Sequence, residues 1–194
     1  MPIYKIAVVG DGGVGKSSLL QAKLDKTFTS QKITIGVDFK LIPLETVEDD
    51  GKQSTFLAMD LGGQDRFHFI HDAYIKGIEG ALILFDVTRY RTFTNIPHWY
   101  NLILNENDNI PVLLVGNKLD LIDRDRREKL REELDALVKE LPKNQNIYGH
   151  YFTSSKIFEG IEEIFAICEE MILFKTHKKK RTQVSEGTTI STEP

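Results

Sequence analysis

Apolar and polar positions fall into two rhythms along this chain. Short apolar runs come first: Ile3 to Val9 ends at a glycine, and Ala81 to Val87 and Val112 to Gly116 follow further on. Runs of this length bounded by turn residues predict buried strands. Residues 38–47 and 53–60 flank Glu48-Asp49-Asp50-Gly51-Lys52, where the Asp-Gly step predicts a hairpin. Residues 147–152 predict the last strand. The second rhythm has apolar residues three and four apart. It predicts helices near 16–24, 66–76, 93–105, 126–140 and 160–174. In the last, Ile161, Ile164, Phe165, Cys168, Met171 and Ile172 share one face. Strands alternating with helices predict an α/β fold, a mainly parallel sheet covered on both sides. One antiparallel edge strand is expected at the hairpin.

Composition narrows this little. A chain of 194 residues suits one domain with or without a tail. Its 41 % hydrophobic and 28 % charged residues are ordinary for a soluble globular protein. Cys168 is the single cysteine, so no disulfide forms within the chain, in keeping with a reducing compartment. No signal peptide and no run of spanning length is seen. The net charge of −4 hides an acidic body and a basic end containing Lys175, Lys178, Lys179, Lys180 and Arg181. An acidic body argues against a broad nucleic-acid surface. After Phe174 apolar residues thin out, which divides the chain into a domain over 1–174 and a basic, disordered tail over 175–194.

Chemistry concentrates after the first strand. Gly10-Asp11-Gly12-Gly13-Val14-Gly15-Lys16-Ser17, followed by Ser18 in a helix, fits a phosphate-binding loop. Its backbone N–H groups turn around a phosphate and the helix N-terminus faces the anion. Lys16 reaches the β- and γ-phosphates, and the Ser17 hydroxyl is a Mg²⁺ ligand. Asp60 ends the next strand as a second metal ligand. Gly63 offers an N–H to the γ-phosphate, and Gln64 can position attacking water. Thr34 has a hydroxyl that completes the metal shell when a γ-phosphate is present, so residues 29–38 form a candidate switch.

The base is read further on. Asn117-Lys118-Leu119-Asp120 follows the strand at 112–116. A carboxylate such as Asp120 accepts from N1–H and the 2-amino group of guanine, a donor pair adenine lacks. Lys118 lies along the base, and Asn117 ties this loop to the phosphate loop. Phe28 either covers the base or joins the core. Ser154, Ser155 and Lys156 meet the guanine edge or cap the following helix.

Together these motifs resemble the Ras superfamily of small GTPases, and the Rab family most closely. The resemblance covers about residues 3–174 and includes Thr34-Ile35-Gly36-Val37-Asp38-Phe39, Arg66-Phe67, Tyr74, Gly77, Gly80 and Asp86-Val87-Thr88. It implies a P-loop NTPase fold, a small G domain with six strands and five helices. It implies GTP/GDP and Mg²⁺ as ligands, with Lys16, Thr34 and Gln64 serving hydrolysis. Effectors, exchange factors and GTPase-activating proteins are implied partners, and no arginine in the sequence is plainly placed to replace a partner's. The expected protein is a monomeric cytoplasmic switch, with a nucleotide-binding scaffold of little turnover as the alternative. Effector candidates are Ile35, Val37, Phe39, Phe67, Phe69 and Ile70, with Ile35 and Phe67 ranked above Phe39.

Three departures stand out. Leu61-Gly62 replaces the family's usual small Thr-Ala pair. The loop between Phe28 and Thr34 is one residue short and has no tyrosine. The chain ends Ser191-Thr192-Glu193-Pro194, without prenylation cysteines. The Lys178–Arg181 cluster then offers weak, reversible contact with an anionic membrane, matches a nuclear-localisation or nucleic-acid patch equally loosely, or is simply a solvated tail.

Overall fold

The computed structural model describes residues 2–29, 34–47, 53–62, 74–106 and 109–186. Their elements run β1 (Ile3–Val9), α1 (Lys16–Asp25), β2 (Val37–Val47), β3 (Gln53–Leu61), β4 (Gly80–Asp86), α2 (Tyr90–Thr94), α3 (Ile96–Glu106), β5 (Val112–Asn117), α4 (Arg124–Glu140), β6 (Ile147–Phe152) and α5 (Ile161–Glu186). The strands form one six-stranded sheet ordered β2-β3-β1-β4-β5-β6. Only β2–β3 is antiparallel; the other neighbours are parallel.

Parallel central strands need cover on both faces, and the side chains divide accordingly. Ala7, Val9, Ile83, Phe85 and Leu114 point into one apolar cluster with Trp99, Tyr100 and Leu134. Ile6, Val8, Leu82, Leu84 and Val115 point into the other, with Leu19, Phe165 and Cys168. Every residue of β4 and β5 is buried. Burying each such aliphatic side chain contributes about 1.5–3 kcal/mol, so the sheet centre is a stiff platform for the loops at its carboxyl ends.

Two helices differ from the sequence pattern. The run expected at 93–105 is divided at Asn95 into α2 and α3. Pro97 sits in the first turn of α3, where a missing N–H is tolerated. Helix α5 passes Phe174, where the disordered tail was expected to begin, and continues to Glu186. Lys, Arg and Gln are good helix formers, and the first glycine beyond Phe174 is Gly187. Helix α4 starts earlier than expected because Asp123 caps it, its Oδ1 accepting from the Arg126 N–H at 2.8 Å. The expected 66–76 helix falls largely outside the described residues, as does the 48–52 turn.

Cys168 is fully buried on the inner face of α5, and burial pushes its thiol well above the ordinary range. The folded chain is therefore expected to resist a thiol reagent at pH 8 and to react promptly in denaturant. Rapid labelling of the native protein would contradict this packing.

Candidate nucleotide site

Strand β1 lies between β3 and β4, so the chain leaves it at the point where strand order reverses, the place where open α/β sheets form a crevice. The loops following β1, β3, β4, β5 and β6 all emerge at that carboxyl edge. They carry residues 10–15, 62, 87–89, 118–120 and 153–156, gathering distant motifs on one rim.

The loop after β1 is held by backbone conformation and by Asn117. Gly15 has φ +102°, and a Cβ there would lie 2.2 Å from Asn117 Nδ2. That amide donates to the Val14 carbonyl at 3.0 Å. Asn117 Oδ1 accepts from the Ser155 N–H at 3.2 Å, Ser155 Oγ at 3.2 Å and Thr153 Oγ1 at 3.3 Å. Asn117 thus pins together the loops following β1, β5 and β6. The Ser155 N–H, a candidate donor to the base, is engaged within this knot. Gly12, Gly13 and Ser18 complete the loop and the first turn of α1. Asp11 contributes backbone only: its carboxylate turns to α3, accepting from Asn95 Nδ2 and Trp99 Nε1, each at 2.8 Å.

Lys16 is 6 % exposed and donates to the Gly10 carbonyl at 2.7 Å and the Asp11 carbonyl at 3.0 Å. Burial lowers its pKa to about 8, against the opposing pull of Asp60 and Asp11. An anion in the loop would restore the charged form. Beside it, oxygens from three elements converge. Ser17 Oγ donates to Asp60 Oδ2 and lies 2.9 Å from Thr34 Oγ1, which is 3.3 Å from the same carboxylate oxygen. Asp60 is fully buried; burial raises its pKa, and the Ser17 hydrogen bond and Lys16 charge only partly oppose this. Its Oδ1 has no hydrogen-bond partner among the described residues. A buried, under-satisfied carboxylate beside two hydroxyls is a hard-oxygen donor set that fits Mg²⁺.

On the other side of the loop, Lys118 takes a left-handed conformation with φ +70°. Its Nζ meets Asp86 Oδ2 at 2.6 Å. Asp120 accepts from Ser154 Oγ at 2.6 Å, with Lys156 Nζ 4.0 Å from its other oxygen. The Ser154 hydroxyl also accepts the Ile157 N–H at 3.3 Å, closing a local turn well before α5. Phe28 is 47 % exposed, outside the core. Gly63, Gln64, Phe67, Phe69 and Ile70 lie outside the described residues.

Sequence reasoning assigned no role to Asp86 or Arg89. Asp86 is 2 % exposed and accepts from Thr88 Oγ1, the Thr88 N–H, Arg89 Nε and Lys118. Burial raises its pKa, but those hydrogen bonds outweigh burial and the net shift is downward. Arg89 continues from Asp86 to the Gly12 carbonyl, 3.0 Å from its NH2. The available signal was a carboxylate at the end of a wholly apolar strand, where an unpaired charge is too costly to leave.

The unusual pair at 61–62 has a steric reason. Leu61 is fully buried in the cluster with Met59 and Ile75. A Cβ on Gly62 would lie 2.8 Å from the Thr34 carbonyl oxygen and 3.0 Å from that of Gly36. The Gly62 N–H instead donates to the Gly36 carbonyl at 2.8 Å. The backbone of Thr34 and Gly36 thus approaches position 62 more closely than any side chain there would allow. Beyond it Ile35, Phe39 and Leu41 are exposed, and Phe39 makes an edge contact with Tyr74, centroids 5.6 Å apart. Phe39, ranked low from sequence as a surface residue, is therefore on the surface.

The fold and rim define a small G domain of the P-loop α/β class. The Ras family model matches residues 5–173. Ras-related protein SEC4 of Saccharomyces cerevisiae is 38 % identical over 190 residues, covering 95 % of this chain and 82 % of its own. Ras-related protein RABE1e of Arabidopsis thaliana is 40 % identical over 167 residues, covering 84 % and 72 %. Ras-related protein Rab-10 of Diplobatis ommata is 34 % identical over 191 residues, covering 96 % and 90 %. The chain belongs to the Ras family and is a Rab-like, GTP-binding small GTPase.

Proposed function

We propose that this protein is a molecular switch that binds GTP and GDP with Mg²⁺, hydrolyses GTP to GDP and phosphate, and recruits effectors in its GTP state. The observation that carries this is the meeting of Ser17, Thr34 and Asp60 oxygens beside buried Lys16, since Thr34 comes from a segment outside the phosphate loop. When bound, Mg²⁺ neutralises charge on the β- and γ-phosphate oxygens. Ser17, Thr34 and Asp60 hold that ion. Lys16 releases the Gly10 and Asp11 carbonyls and takes up phosphate oxygens. Gly63 offers its N–H to the γ-phosphate and Gln64 orients water for in-line attack. Asp120 reads guanine, with Lys118 along the base, Phe28 over its open face and Ser154, Ser155 and Lys156 walling its edge.

Loss of the γ-phosphate removes the reason for Thr34 to stay at Asp60, and the two segments then part. Effectors read the surface around Ile35, Phe39 and Tyr74, while exchange factors and GTPase-activating proteins set the cycle. Membrane traffic is the setting that Rab likeness supports. The protein acts as a cytoplasmic monomer, its domain ending near residue 174 and the basic 175–194 segment touching anionic membrane reversibly. Single-turnover hydrolysis tests the reading. GDP is expected to compete with labelled GTP where ADP does not, and Gln64→Leu to slow cleavage at least about 10-fold with binding retained. Tight binding without detectable cleavage would replace the switch with a GTP-binding scaffold.

A further inference from the structure

We propose that Arg89 is a phosphate-site arginine carried in cis, one that supplies the charge a hydrolysing G domain otherwise takes from a partner. The inference rests on the hydrolytic reading above. Three observations support it. The guanidinium is anchored at one end, Nε donating to Asp86 Oδ2 at 2.8 Å. Its other end lies on the phosphate loop, NH2 donating to the Gly12 carbonyl at 3.0 Å. A Cβ on Gly13 would stand 3.7 Å from NH2 and 4.0 Å from NH1. The planar head therefore lies beside the backbone at positions 12 and 13. NH1 makes no hydrogen bond among the described residues.

Charge points the same way. Asp86 Oδ2 is shared by Arg89 and Lys118, so one carboxylate balances two cations. Lys16 brings a third cation to the loop, donating to the Gly10 and Asp11 carbonyls. Three cations thus meet at a loop of inward N–H groups, with Asp86 and Asp60 as their buried carboxylates, and a polyanion entering the loop would be drawn to all three. Arg89 is 45 % exposed at its side chain, so its outer arm can turn from the Gly12 carbonyl while Asp86 holds Nε.

In hydrolysis the water oxygen forms a bond to the γ-phosphorus. The bond to the β–γ bridging oxygen breaks with its electron pair staying on GDP, and the proton passes to the released phosphate. Arg89, reaching over Gly13, offsets the charge gathering on the leaving GDP oxygens.

The test uses the full chain without partners. Wild type, Arg89→Ala, Arg89→Gln and Arg89→Lys are loaded with GTP and followed through one turnover. Each is also titrated with aluminium fluoride in the GDP state, the complex that mimics the transferring phosphoryl group. Wild type is expected to form that complex alone. Arg89→Ala and Arg89→Gln should lose it and cleave GTP about 10²-fold more slowly, with GDP affinity within about 3-fold of wild type. Lysine keeps the charge but lacks the fork, and should recover only a small part. Unchanged cleavage and complex formation in Ala and Gln would overturn the proposal. So would a loss confined to GDP affinity with the single-turnover rate intact, the signature of a merely structural tie. A wild type that binds GTP but never cleaves it fails differently: the hydrolytic reading itself falls, and Arg89 with it.

Discussion

Asp120→Asn is expected to cost guanine nucleotides about 10²–10³-fold in affinity. The carboxylate would accept two hydrogen bonds from the guanine edge, each worth about 1.5–3 kcal/mol when charged. An amide removes the charge and turns a donor toward the donors on the base. Folding should survive, because the amide oxygen still accepts from Ser154 Oγ, now 2.6 Å from Asp120 Oδ1. The same change creates a match for xanthine, which presents an oxygen where guanine presents an amine. Competition of GDP and xanthosine diphosphate for the labelled site measures both effects. Preserved preference for GDP at an unchanged melting temperature would remove Asp120 from the base site.

Gly15→Ala is the second large effect, and it acts on folding and binding together. The new methyl carbon would meet Asn117 Nδ2 at 2.2 Å in a backbone with φ +102°. Left-handed strain costs about 1–3 kcal/mol. Displacing Asn117 also strands the Val14 carbonyl, the Ser155 N–H and the Thr153 hydroxyl, buried groups whose desolvation costs about 1–3 kcal/mol each when unpaired. Partial relaxation should leave a net loss of about 3–5 kcal/mol, which lowers the melting temperature by about 10 °C in a domain of this size. Retained stability with GDP affinity within a factor of two would show that Asn117 is not the pin it appears on geometry.

What could be read in advance follows from where information is local. The sheet was legible because β4 and β5 are apolar at every position up to their polar ends. The glycine-lysine loop and the Asn117–Asp120 segment were legible because chemistry and spacing sit in consecutive residues. The division at Asn95 was not. Pro97 was a local sign of a helix start that the apolar rhythm passed over, but the hold on Asn95 comes from Asp11, 84 positions away, which accepts from its amide. The course of α5 beyond Phe174 was misread because loss of apolar residues was taken as loss of helix; lysine-rich sequence loses only the packing face. Arg89 stayed silent for the same reason as Asn95. Its meaning is its distance to Gly12, 77 positions earlier, and nothing in Thr88-Arg89-Tyr90 states that distance.

The contact between Gly36 and Gly62 has a mechanical consequence. The β2–β3 ladder ends with Val37 opposite Leu61, and the Gly62 N–H to Gly36 carbonyl bond is one rung further. Thr34, two residues beyond, therefore cannot leave Asp60 far without loosening that rung. The fray has a natural stop, because Leu61 is anchored in the core while Gly36 and Gly62 carry no side chains to hold them. In the proposed switch, separating the two segments would unzip the sheet by one tooth. The first buried leucine, Leu61, would set the length of that stroke.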